Sequence, residues 1–216
     1  MGQGQTLANI GPGWVRRVMD RAFRQGILVP RFGGLALAWD DLRFPFSGSR
    51  FDSPSSDIIY NTTDCSLEFQ TSARYPADVV SFNVQMQHDK YLNSAVEPHL
   101  HWIQEEDHIP NFLLAIRWYK NGAQVPSFTL AIPTTHLFTY VSGEIAQITE
   151  FPLITAPADE TVSSIMDIKL YRDFTNVSTL FTGADPYTID VQTKEFDLHY
   201  QKDSLGSVTD FTKDAV

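Results

Sequence analysis

An unbroken alternation runs from Val80 to His88 and constrains this chain more than any other feature. Val80, Phe82, Val84, Met86 and His88 hold one parity, while Ser81, Asn83, Gln85 and Gln87 hold the other. Side chains of an extended segment point to opposite faces in turn, so a period of two describes a strand with one buried and one wet face. The same period returns in Met166, Ile168 and Leu170 against Asp167 and Lys169, and in Phe196, Leu198 and Tyr200 against Glu195, Asp197 and His199. Val96 to Gln104 is expected as a strand, and Phe112 to Lys120, nearly all apolar, as a strand covered on both faces. Further strands are expected near 64–72, 125–132, 137–141, 145–152, 163–172 and 187–201. Asn121-Gly122 has the residues of a type I′ hairpin turn, which needs positive φ at both central positions. About eight or nine strands, separated by Pro, Gly, Asn and Asp with no helix between them, imply an all-β fold. The expected architecture is an antiparallel β-sandwich, jelly-roll-like, over residues 39–203, with a polar tail at 204–216.

Ahead of that domain the pattern differs. Trp14, Val15, Val18, Met19, Ala22 and Phe23 recur at spacings of three and four, with Arg16, Arg17, Asp20, Arg21 and Arg24 on the opposite face. Pro12 suits a first helical turn and Gly26 a C-terminal cap, so a short amphipathic helix is expected over about 12–25. A helix of that length is marginal alone in water and needs a partner to cover its apolar stripe. Residues 1–38 therefore read as an anchoring arm, with Trp14, Val15, Arg16, Arg17, Val18, Met19, Arg21, Phe23 and Arg24 as its partner-binding surface.

Charge divides along the same boundary. Residues 1–43 hold six arginines against Asp20, Asp40 and Asp41, so the rest of the chain is more acidic than the net −10 of the whole. An acidic body argues against nucleic acid, whose phosphates demand clustered Lys and Arg. The basic arm suits an acidic protein surface. Cys65 is the one cysteine, which excludes an intrachain disulfide and a cysteine-based zinc site. Neither a signal-peptide pattern nor an apolar run of bilayer length is found, so a soluble protein made in a cytoplasm, with no membrane partner, is expected.

Several sites invite chemistry. His99 and His101 share one strand face and make half of a metal site, with Glu97 on that face and His88 from the preceding strand as further donors. The alternative is a pair of hydrogen-bonded strand histidines beside Trp102, and that reading, with no metal and no cofactor, is preferred. Glu105, Glu106, Asp107, Asp159 and Glu160 supply carboxylates, but glycoside hydrolysis needs two at a set separation, and Glu105-Glu106-Asp107 reads as a solvated loop. Ser47-Gly48-Ser49 lacks the strand–turn–helix setting of a nucleophile elbow, and Cys65 has no indicated base and reads as a buried thiol. Phosphate-binding glycine motifs are missing. Tyr91, Tyr140 and Tyr187 are candidates for stacking on sugar rings, though tyrosines of all-β proteins mostly cover sheet faces. No catalytic residue emerges, and the chain is expected not to be an enzyme.

Four strings carry a resemblance. Trp39-Asp40-Asp41-Leu42-Arg43-Phe44-Pro45, a strand ending in His88, Pro98-His99-Leu100-His101-Trp102, and Phe196-Asp197-Leu198-His199-Tyr200-Gln201-Lys202-Asp203 occur in that order. Together they resemble a family of structural proteins of tailed-bacteriophage and prophage virions. The resemblance spans residues 39 to about 210, leaves 142–162 unmatched and brings no catalytic residue with it. It implies a virion protein assembled in the host cytoplasm, part of the tail or a tail fibre. Its partners would be other virion proteins and itself, in a homotrimer or another cyclic form. The first string would mark the junction of arm and domain, with Trp39 and Phe44 packed under the sandwich and Asp40, Asp41 and Arg43 in turn hydrogen bonds. The same string also reads as a first strand and its turn. A head decoration or head-fibre protein is the alternative in that class. From other classes come a carbohydrate-binding receptor module for a host-surface glycan and, behind it, a cupin-like metal enzyme.

Overall fold

The computed structural model describes residues 38–46, 50–51 and 57–202, with the backbone alone at 50–51. The expected arm helix with its partner-binding residues, the Ser47-Gly48-Ser49 turn and the tail at 204–216 lie outside the described residues. Within them the chain forms twelve strands: β1 (Ala38–Pro45), β2 (Arg50–Phe51), β3 (Ile58–Asn61), β4 (Ser66–Phe69), β5 (Val80–Gln85), β6 (Val96–Gln104), β7 (Phe112–Tyr119), β8 (Thr129–Ala131), β9 (Thr135–His136), β10 (Ile145–Glu150), β11 (Ile165–Arg172) and β12 (Val191–Lys202).

These strands build two antiparallel sheets. The seven-stranded sheet has the order β3-β4-β12-β6-β10-β9, with β1 also paired to β12; the five-stranded sheet has the order β2-β5-β11-β7-β8. Within these orders lie two four-strand sets, β1-β12-β6-β10 and β5-β11-β7-β8. Chain order through the two sets is that of a jelly roll, in which the first and last strands are neighbours and the path crosses repeatedly between sheets. The expected sandwich is the observed fold, with β2, β3, β4 and β9 added at its margins.

β12 organises the seven-stranded sheet. Val191 to Thr193 pair with β4, Glu195 to Lys202 pair with β1, and β6 lies along the other side. A bulge between Thr193 and Glu195 shifts the side-chain parity of the strand. Thr193 faces inward before it; Phe196, Leu198 and Tyr200 face inward after it.

The core fills the space between the sheets. Val80, Phe82 and Val84 of β5, Leu100 and Trp102 of β6, and Met166, Ile168 and Leu170 of β11 meet Phe196, Leu198 and Tyr200 of β12 there. Phe82 stacks on Phe196 across the sheets, with ring centroids 5.3 Å apart. β7 is covered on both faces, as its apolar run implies. Phe112, Leu114 and Ile116 enter the main core, while Leu113 and Ala115 join Val79 and Tyr171 in a second cluster on the outer side.

Local differences from the sequence pattern have local causes. The 80–88 alternation stops as a strand at Gln85, where the Met86 N–H donates to the Ser164 carbonyl and the His88 ring meets the Ser163 hydroxyl at 2.7 Å. The strand expected at 137–141 is instead β9 at Thr135–His136. At Asn121-Gly122 only Gly122 takes positive φ (79°), and the loop runs on to Thr129, so the connection is not a two-residue type I′ hairpin. Cys65 is exposed rather than buried, in the left-handed turn joining β3 to β4.

Candidate functional site

Three of the four strings that stand out in the sequence converge on one surface. Trp39 to Pro45 lie in β1, Pro98 to Trp102 in β6, and Phe196 to Lys202 in β12, which runs between the other two. Register sets Asp41 opposite His199 and His199 opposite Glu97. The next outward row joins Arg43, Asp197, His99 and, on β10, Glu150; the one after it joins Glu195, His101 and Ile148. Their inward neighbours Leu100, Phe196 and Leu198 belong to the core, so this ladder of acids and imidazoles faces away from it.

Asp197 is the hub. Its side chain is buried, with Oδ2 3.1 Å from His101 Nε2 and 3.9 Å from His199 Nε2, and Oδ1 3.7 Å from His99 Nδ1. His199 Nε2 also lies 3.0 Å from Asp41 Oδ1. The His99 and His199 rings meet edge to face with centroids 3.9 Å apart. Two buried atoms here have no hydrogen-bond partner, His99 Nε2 and Asp197 Oδ1. Burial, and then the neighbouring His199 charge, hold His99 below the usual imidazole range and favour its neutral form. His101 moves the other way, raised first by its hydrogen bond to Asp197.

Of the metal donors expected from sequence, Glu97 and His99 come together. His101 turns to Asp197, and His88 lies away on the Ser163 hydroxyl. The third member of the cluster is His199, which with Glu97 and His99 places one ligand atom from each within 4.8 Å of the others. Sequence reasoning had His199 only as part of the closing string; its outward parity beside Asp197 was the available signal.

Other candidates fall elsewhere. Trp39 is 55% exposed on the outer face, so it does not pack under the sandwich. Phe44 does, with its ring 5.7 Å from Phe82 and 6.2 Å from Phe196. Asp40 and Arg43 pair with Lys202 and Glu195 across the strands, and Asp40 Oδ1 also accepts the Asp41 N–H at 3.0 Å within β1. The Lys202 ammonium holds the Asp40 carboxyl below its usual range. Pro98 pairs with Leu198 on the inward side, and Trp102 is buried, its Nε1–H donated to Thr149 Oγ1 at 2.9 Å. Tyr187 is fully buried and its ring is closed to any sugar; Tyr140 is half-buried, with its hydroxyl donated to the Glu105 carbonyl, and Tyr91 is partly exposed. Glu106 accepts from Thr188, and Glu160 is buried against Lys90 at 2.8 Å, so neither stands as a free general acid or base.

No family model matches the chain, and no curated protein does either. Among solved structures it is similar to the xylan-binding module CBM15, with 11% identity, 76% of this chain and 97% of that chain covered, and a TM-score of 0.37. It is also similar to the CBM22-1–GH10 modules of endo-1,4-β-D-xylanase 10B from Clostridium thermocellum complexed with xylohexaose. There the identity is 9%, 79% of this chain aligns with 27% of that chain, and the TM-score is 0.31. Likenesses this distant carry nothing about what the present chain binds.

Proposed function

We propose that this chain is a non-enzymatic structural subunit of a tailed-phage particle, a tail or tail-fibre component docked through its N-terminal arm. The family resemblance supplies the context; three of the four strings that carry it occupy adjacent strands of one sheet, and the fourth, β5, belongs to the other sheet. The observation that carries the assembly role is an apolar groove at the β8 margin of the five-stranded sheet. Leu130 and Leu153, both exposed, line this groove of about 530 Å³ together with Ile132 and Ile154. Val125, Leu137, Phe138 and Val141, from the same stretch of chain, are exposed as well. Exposed apolar side chains lining a groove are what a subunit contact requires.

The full chain is expected to form a homotrimer or another closed ring, measured by analytical ultracentrifugation. The double variant Leu130→Asp, Leu153→Asp should shift it to monomer without loss of its β-sheet circular dichroism. A monomeric wild-type chain over micromolar concentrations would remove the self-assembly part of the reading. A head decoration or head-fibre protein would use the same margin and differ only in its place on the particle.

A second reading, a glycan-binding receptor module, rests on Trp39. Its exposed indole stands two residues from Asp41 and opposite Gln201, a combination of flat apolar ring and polar hydrogen-bonding groups that suits a sugar. On that reading Trp39→Ala abolishes retardation of the protein in glycan-loaded gels.

A further inference from the structure

We propose that Glu97, His99 and His199 bind one divalent transition cation of the zinc class on the outer face of the seven-stranded sheet. This stands apart from the assembly role, because it rests on three side chains of neighbouring strands and on no other subunit. Two imidazoles and one carboxylate are a common donor set for such ions, which leave a fourth position for water or another group.

Geometry brings the donors near ligation distance. Their ligand atoms lie within 4.8 Å of one another, and His99 Nε2 is 3.7 Å from Glu97 Oε2. Around a tetrahedral ion with bonds of about 2.0–2.1 Å, ligand atoms stand roughly 3.3 Å apart. The cluster therefore needs to contract by up to about 1.5 Å, which rotation of the partly exposed Glu97 and His199 side chains can supply.

The unpartnered nitrogen is the second, independent observation. The His99 side chain is only 7% exposed, and its Nε2, aimed at Glu97, has no hydrogen-bond partner. A buried imidazole nitrogen without a partner is rare, and a metal bond accounts for it. Behind the ring, Asp197 Oδ1 is also unpartnered and stands 3.7 Å from His99 Nδ1. At that distance no hydrogen bond is made; a small approach of the ring would let the carboxylate accept Nδ1–H and fix the tautomer that offers Nε2 to a metal. Asp41 stands 3.0 Å from His199 Nε2, so it is the Nδ1 of that ring that is left for the metal.

Electrostatics agree. Glu97, Asp41, Asp197 and Glu150 surround two imidazoles whose rings are in contact, a setting in which two protonated histidines repel and one shared dication does not. About a third of the Glu97 and His199 side chains is exposed, so the fourth position faces solvent.

The test uses the full chain, stripped by chelator and titrated with Zn²⁺ by calorimetry and with Co²⁺ by visible absorption. The expected result is one ion per chain, tetrahedral Co²⁺ bands displaced by Zn²⁺, and a melting temperature raised by about 5 °C at saturating Zn²⁺. Glu97→Gln and His199→Ala should each weaken Zn²⁺ binding at least tenfold, while His88→Ala leaves it unchanged. Glu97→Gln keeps volume at a partly exposed position, so its fold can be verified even where a histidine variant unfolds. Absence of stoichiometric binding to the wild-type chain, or undiminished binding in folded Glu97→Gln, overturns the proposal.

Discussion

At the scale of single residues, two phenols set the alkaline limit of the fold. Tyr187 accepts the Glu105 N–H at 2.8 Å, its ring meets Trp102 at 5.6 Å, and burial is the largest cause of a pKa pushed up to about 12. Tyr200, hydrogen-bonded to Asp89 at 3.3 Å, is raised as well, again chiefly by burial. An unfolded tyrosine ionises near 10, so the folded state keeps these protons longer. Their contribution is complete below pH 10 and drains away as pH rises through the folded values. For Tyr187 the difference amounts to about 2–3 kcal/mol. The urea midpoint is expected to fall steeply above pH 10, with the last tyrosinates forming only as the chain unfolds; Tyr187→Phe should flatten that fall. Ultraviolet titration that ionises every tyrosine in the folded state would contradict this. Sequence gave no warning of it, because Tyr187 sits in a polar stretch and its burial is imposed by the strands around it. Trp39 shows the converse: the string it belongs to is legible, but which face the indole takes is decided by the register with β12.

At the scale of elements, ion pairs of equal appearance have unequal weight. Arg172 and Asp185 pair at 2.7 Å with both side chains fully buried, and the guanidinium also donates to the carbonyls of Phe69, Tyr187 and Ile189. That one side chain ties the end of β11 to β4 and to the approach to β12. Arg172→Met leaves Asp185 unpaired in the core and is expected to cost about 3–5 kcal/mol, read as a lowered urea midpoint at constant slope. Arg43→Ala, which removes a pair on β1 whose arginine is 68% exposed, should leave the urea midpoint nearly unchanged. Equal effects from the two variants would contradict the assignment of burial. The strands themselves were legible wherever one face is buried: β5, β6, β7, β11 and β12 follow their alternation or their apolar run. The short margins β2, β3 and β9 were not, since two to four residues hold too little pattern and are placed by pairing alone. The histidine cluster lay beyond reach for a related reason. His99 and His199 are a hundred residues apart, and only the register of β12, fixed after its bulge, brings them together.

At the scale of the whole molecule, the jelly roll has two distinct surfaces: a polar ladder over β1, β12 and β6, and an apolar groove at the β8 margin. The architecture was legible because turn residues separate the strands and no helical period interrupts them. The role was not, because a sandwich serves assembly, glycan recognition and catalysis alike. The proposed role places this chain in a phage particle. Electron microscopy of intact tailed-phage particles that encode it, labelled with an antibody against residues 44–216, decides that role. Gold clustered at the tail or its fibres is the predicted result; label over the capsid faces would move the chain to the head, and particles free of label would contradict the virion role outright.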